Sequence, residues 1–262
     1  MGISSLLLGK WMPTWLLEVL TTSSVRLTLL GCWGGLSLLA MLITVWAKRK
    51  TGLATTVLRK IYHILIVLVF TPGILLDLTL AYFASAAVMM LFCLLEFIRI
   101  QGIEPIASII SAAFYTFLDE KDTGELILSH IYLVVGVATP LWLNPCPFDA
   151  TSDSLTTPSL LPLLAGVLAV GVGDTAASVG GTYFGRKKWS GTKKTVEGSF
   201  FGVIVQMIAV GLLVALEVID VTWAVWGRLL LSISLVAVVE ALTDQVDNIV
   251  LPLLLYTSLM DL

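Results

Sequence analysis

The sequence predicts an all-α fold: a polytopic transmembrane helical bundle of about eight spans with a glycine- and lysine-rich loop on its cytosolic side. Three observations predict it. First, the 262 residues are 58% hydrophobic and only 13% charged, with a mean hydropathy of +0.99, against roughly 45–50% apolar and about 25% charged in soluble domains. A water-soluble globule of this size cannot hide such an excess. Second, eight apolar windows meet or approach the roughly 20 residues that a helix needs to cross a bilayer. Third, the basic residues fall almost entirely in alternate loops between those windows. The net charge of -3 leaves no global basic field, which argues against a nucleic-acid partner.

Residues 1–54 read as an interfacial amino-terminal segment followed by the first span, and residues 55–262 as one membrane domain. The first 25 residues carry a single cation, Lys10, and no convincing cleavable signal. The windows are 27–47, 61–77, 78–98, 126–143, 160–184, 199–218, 223–243 and 248–260. The last is short and the second contains "TPG" at 71–73, so both are expected to be tilted, broken or re-entrant. Between the third and fourth windows, "GIEPIASIISAAFYTFLDEKDTGE" has the spacing of an amphipathic helix lying along the membrane and ending in an acidic turn. Cys32, Cys93 and Cys146 are far apart and suggest neither a disulfide framework nor a zinc site.

If all eight windows cross, the loops at 48–60, 99–125, 185–198 and 244–247 share a side. They hold Lys48, Arg49, Lys50, Arg59, Lys60, Arg99, Lys121, Arg186, Lys187, Lys188, Lys193 and Lys194; of the chain's 15 cations only Lys10, Arg26 and Arg228 fall elsewhere. Basic residues mark the cytosolic side, so the chemistry is expected there.

The stretch "GVGDTAASVGGTYFGRKKWSGTKKTVEGS", residues 171–199, holds the densest collection of cations, glycines and hydroxyls. Asp174 stands where the fifth span meets the surface, preceded by Gly173. A carboxylate at membrane depth costs several kcal/mol unless it is paired or solvated, so a function is the default reading. Downstream, Gly181, Gly185, Gly191 and Gly198 permit close backbone approach. Thr192 and Thr195 supply hydroxyls, Lys193 and Lys194 supply charge, and Glu197 adds a carboxylate beside the lysines. Polyphosphate suits this collection, with Mg²⁺ or another divalent cation held by Asp174 and bridging its oxygens. The loop lacks Walker A spacing. Two other readings stay open here: "GTYFG" at 181–185 as a helix-packing GxxxG pattern, and the lysines as anchors to anionic lipid.

Taken together, "GDTAAS…G…G…KW…GTKKTVEGS", "LRKIYH" at 58–63, "LLEFIR" at 94–99, "FLDEKDTGELILSHIYL" at 117–133 and "VDNIVLPLL" at 246–254 closely resemble the dolichol kinases, CTP-dependent lipid kinases of the polyprenol kinase group. The resemblance covers roughly residues 55 to 260 and is to the carboxy-terminal, catalytic part of that family. It implies transfer of the terminal phosphoryl group of CTP to the hydroxyl of dolichol, a membrane lipid. The reaction would take place on the cytosolic face of the endoplasmic reticulum, and the dolichyl phosphate would serve protein glycosylation. It also implies that Arg59 and Lys60 hold nucleotide phosphates.

Other polar positions join the candidates. His63 shares a helical face with Lys60. Glu96 and Arg99, three apart, read as a structural ion pair. His130 lies inside the fourth span, where an ionisable group needs a partner. Asp247 and Asn248, near Glu240, are placed to complete a metal or hydroxyl site. Asp174, Lys193, Lys194 and His130 are thus the expected catalytic groups. Arg59, Lys60, Gly173, Gly181, Gly185, Gly191, Thr192, Thr195, Glu197 and Gly198 are the expected nucleotide contacts, and Asp174 and Asp247 the expected metal ligands. A transporter would instead predict inverted repeats and broken helix pairs, and the hydropathy shows no inverted repeat.

Overall fold

In lipid a backbone must satisfy its own hydrogen bonds, so long apolar segments become helices. The computed structural model describes residues 21, 23–51, 55–114, 126–144, 157–243 and 247–260. Among these the chain is helical apart from its connections and one isolated antiparallel bridge, Lys188 to Thr195. The helices are α1 (Ser24–Thr51), α2 (Thr55–Leu76), α3 (Leu78–Ile100), α4 (Ile106–Phe114), α5 (Ser129–Leu143), α6 (Thr157–Leu163), a π-helical segment (Val167–Asp174), α7 (Thr175–Phe184), α8 (Val196–Ala215), α9 (Trp223–Leu242) and α10 (Asp247–Leu259).

Five of them, α1, α2, α3, α8 and α9, are long and apolar enough to cross a membrane. The chain is a multi-pass membrane protein. The other three expected spans take a different form. α5 and α10 have 15 and 13 residues, and the window at 160–184 is divided among α6, the π-helical segment and α7. Hydropathy counts apolar side chains without knowing what they face. Residues 160–171 are buried without exception, whereas the membrane-length windows are only 17% to 33% buried within the protein. The first half of the fifth window is oily because it is the core. Gly166 in that run lies so close to α5 that an added Cβ would come within 2.6 Å of the Val137 backbone.

The "TPG" stretch does not break α2, which continues through Pro72 to Leu76. Gly73 there admits the Trp33 ring of α1, 2.9 Å from where a Cβ would stand. The chain turns at Asp77, whose side chain caps α3 by accepting from Leu80 N–H at 2.8 Å. The same carboxylate takes Arg26 Nε of α1 at 2.6 Å, which clasps the start of α1 to the end of α2. α1 and α2 are therefore antiparallel, and Lys48–Lys50, Arg59 and Lys60 gather at the other end of the pair. α4 is amphipathic, with Ala107 and Ile110 buried and Ile106 and Ile109 exposed. The acidic turn holding Asp119, Glu120, Lys121, Asp122 and Glu125 lies outside the described residues, as do Lys10 and Cys146.

Candidate active site

The π-helical segment sets the site. π-helical geometry is rare, favours functional positions and redirects the side chains that follow it. Here it ends on Asp174. Its two glycines let it nest between neighbours: a Cβ on Gly171 would come within 2.5 Å of Val67 in α2, and one on Gly173 within 2.5 Å of Gln206 in α8.

The nesting brings Asp174 against the first turns of α2. Lys60 Nζ donates to Asp174 Oδ2 at 2.6 Å, across 114 residues of sequence. His63 Nε2 lies 3.2 Å from the same oxygen, without hydrogen-bond alignment. The other ring nitrogen, Nδ1, is 2.8 Å from the Arg59 carbonyl. A carbonyl only accepts, so Nδ1 is the protonated nitrogen and Nε2 is the one turned to the site. The His63 side chain is 2% exposed, and those of Lys60 and Asp174 are 18% and 21% exposed.

The basic loop folds back on itself. Trp189 N–H donates to the Lys194 carbonyl and Val196 N–H to the Lys187 carbonyl, and Gly191 sits at the bend with φ +77°, where a side chain would be strained. Glu197 accepts from the backbone N–H groups of Arg186 and Lys187 at 3.1–3.2 Å, so its carboxylate closes the loop. Thr195 caps α8 by accepting from Gly198 N–H at 3.2 Å, and Thr192 accepts from Lys194 N–H at 3.3 Å. The glycines pack helix on helix. A Cβ on Gly198 would come within 2.7 Å of the Ala177 carbonyl and 3.0 Å of Gly181 Cα, and one on Gly181 or Gly185 within 2.9 Å of Thr195 Oγ1. Packing accounts for glycine at these positions without a ligand, as the GxxxG reading expected.

The twin lysines part company. Lys193 is exposed. Lys194 turns inward: its Nζ donates to the Glu240 carbonyl at 2.6 Å and lies 3.3 Å from Asp247 Oδ2 and 3.5 Å from Glu240 Oε1. Two ionic clusters result, Lys60 with Asp174 on α2 and the π-helical segment, and Lys194 with Glu240 and Asp247 on the basic loop, α9 and α10. The π-helical segment packs against both α9 and α10, so the two clusters belong to one junction.

This junction is under-satisfied. His63 Nε2, Thr175 Oγ1, Gln206 Oε1 and Asp247 Oδ1 are buried without an aligned hydrogen-bond partner among the described residues. Buried polar atoms are normally paired, so four orphans on the elements packed against the π-helical segment mark a place suited to binding something else. Among the described residues no three His, Cys, Asp or Glu side chains form a metal-holding group. Mg²⁺ commonly takes only one or two protein carboxylates and completes its shell with phosphate and water.

His130 stands in a different cluster. Its ring lies 4.9 Å from that of Phe92 and 4.4 Å from that of Phe114, and it lines a cavity described below. Glu96 and Arg99 form the expected ion pair at 2.7 Å, and Glu96 also accepts from Ile127 N–H at 2.6 Å. Sequence reasoning left Gln206 unnoticed and Glu240 without a role. Gln206 had a visible signal, a polar side chain in the middle of an apolar span. The reach of Lys60 to Asp174 had none.

Fold and site define a helical, multi-pass membrane protein whose ionic centre lies at one end of the bundle. The family model described as dolichol kinase matches residues 5–219, and the chain belongs to that family. It is 40% identical over 254 residues to the dolichol kinase of Homo sapiens, covering 94% of this chain and 47% of that protein. It is 34% identical over 216 residues to "Dolichol kinase EVAN" of Arabidopsis thaliana, covering 81% and 36%. With the dolichol kinase of Saccharomyces cerevisiae it shares 28% identity over 240 residues, covering 91% and 43%. The chain spans less than half the length of these relatives. No solved structure matches it.

Proposed function

We propose that this chain transfers the terminal phosphoryl group of CTP to the hydroxyl of dolichol, yielding dolichyl phosphate for protein glycosylation. The Lys60–Asp174 and Lys194–Asp247 pairs, on elements that pack together at the end of an apolar bundle, are the observation that supports this most. One substrate is oily and the other highly anionic, so they can react only at a boundary of this kind. The relatives' names supply the alcohol, dolichol; CTP rests on the resemblance of the "GDTAAS…KKTVEGS" stretch to CTP-dependent lipid kinases.

Phosphoryl transfer is catalysed mainly by positioning and by neutralising charge on the phosphate oxygens. Lys194, Lys60 and Arg59 supply fixed positive charge, and the exposed Lys193 reaches outward for the nucleotide. The donors present suit Mg²⁺: Asp247 keeps one buried oxygen without a partner, and Asp174 lies on the π-helical segment that packs against α10. These two residues would hold the ion, which when bound draws negative charge from the phosphates. His63 Nε2 and Asn248 orient the alcohol. The basic end faces the cytosol, at the endoplasmic reticulum membrane, with the shorter helical runs completing about eight crossings.

The test is transfer from γ-labelled CTP to a panel of isoprenoid alcohols in nanodiscs. Labelled lipid phosphate with stoichiometric CDP is the expected outcome. Release of pyrophosphate instead would make the chain a cytidylyltransferase and overturn the reading.

A further inference from the structure

A cavity of about 480 Å³ runs along α2 between α1, α3 and α5. Its lining is mostly apolar, and its polar members include Arg59 and His63, one turn apart on α2, and Asn248 of α10. His63 is the residue whose other face meets Asp174, and Asn248 adjoins Asp247. The cavity therefore shares a wall with the ionic centre. Away from it, Met41 of α1 and Val88 of α3 line the cavity and are 50% and 40% exposed, so the cavity has an opening between two membrane-spanning helices, facing lipid.

We infer that this cavity seats the hydroxyl-bearing end of a long-chain isoprenoid alcohol, which enters from the bilayer between Met41 and Val88 and presents its hydroxyl to His63 and Asn248. The identity of the occupant rests on the function proposed above. Three features select it. An apolar wall disfavours a nucleotide or other charged ligand. A lateral opening at membrane depth suits a molecule that never leaves lipid. Pockets of about 300–1,000 Å³ enclose a drug-sized molecule, so this one takes only the first few isoprene units and leaves the rest of the tail outside. The contacts that discriminate among alcohols are then those near the hydroxyl, and chain length beyond the cavity has little effect.

The experiment uses the full chain in nanodiscs and a long-chain polyprenol carrying a diazirine on its hydroxyl-end unit. After photolysis, peptides are mapped by mass spectrometry. Label is expected on cavity-facing residues of α2 and α3, competed by unlabelled polyprenol and not by added phospholipid. Ala84→Trp fills the cavity from α3 and is expected to cut labelling by about tenfold, a change ordinary for occluding a snug apolar pocket, with CTP binding unchanged. Val88→Trp, at the exposed rim, gives the same result by blocking entry and is the variant to use if the first does not fold. Label spread evenly over outward-facing positions such as Leu38, or indifferent to competitor and to both variants, overturns the inference. Because labelling needs no CTP, competed label without phosphoryl transfer would leave the cavity assigned and sink the kinase reading instead.

Discussion

Among the described residues, two carboxylate–cation pairs share a 2.6 Å contact, and they behave as opposites. Asp77 with Arg26 closes the end of the α1–α2 pair away from the basic cluster. Every part of Asp77 is engaged: one oxygen takes Arg26 Nε, the other takes Leu80 N–H and the Arg26 Nη2 group. It is a fastener. Asp174 with Lys60 is just as short, yet His63 Nε2 stands beside it without alignment, and the elements packed on its π-helical segment carry unpartnered oxygens of Thr175, Gln206 and Asp247. Distance alone would score the pairs alike. What separates a structural ion pair from a candidate reaction centre here is how much hydrogen-bonding capacity the surroundings leave unused.

That contrast can be broken or sharpened. The largest effect is expected from Lys194→Met, which leaves Glu240 and Asp247 facing one another without their cation and removes positive charge from the proposed phosphate site. Phosphoryl transfer from CTP should fall about a hundredfold or more, read as kcat per folded molecule. Less severe is Gly198→Ala. Its Cβ would meet the Ala177 carbonyl at 2.7 Å and Gly181 Cα at 3.0 Å; backbone cannot swing aside, so a loss of about 1–3 kcal/mol is expected from overpacking, measured by detergent or thermal unfolding. Arg26→Met should cost about 1 kcal/mol, since the Asp77 cap to Leu80 survives and the pair is only partly buried. Activity per folded molecule should stay as in the wild type. Gly34→Ala marks the small end of the scale. A Cβ there meets nothing within 4 Å, so unfolding should be unchanged or delayed by up to about 1 kcal/mol through better helix propensity.

Much of this architecture was legible before the fold was known. Composition required lipid as solvent, and Asp174 declared itself because a carboxylate at membrane depth needs a reason. Alternating cations placed Lys48–Lys50, Arg59 and Lys60 at one end, where the helix directions also put them. Three things were not legible, for physical reasons. The π-helical segment depends on Gly171 and Gly173 fitting between α2 and α8, which is a property of neighbours that periodicity does not encode. Burial of residues 160–171 looks like lipid exposure to any hydropathy scale, so a core segment reads as one more lipid-facing span. Glu197 reads as a carboxylate among lysines, and the sequence does not reveal that its oxygens meet the Arg186 and Lys187 amides, contacts that only the bent loop creates.

The central claim is that the carboxylate in under-satisfied surroundings, and not the fully engaged one, carries the chemistry. Matched replacements test it most directly: Asp174→Asn and Asp77→Asn, each assayed for transfer of label from γ-labelled CTP to polyprenol in nanodiscs and normalised to monodisperse protein. Asparagine keeps the size of both side chains and is itself a good helix cap at position 77. The account predicts wild-type transfer in Asp77→Asn and loss of about a thousandfold in Asp174→Asn. Undiminished transfer by Asp174→Asn, in protein that still binds CTP, would contradict it.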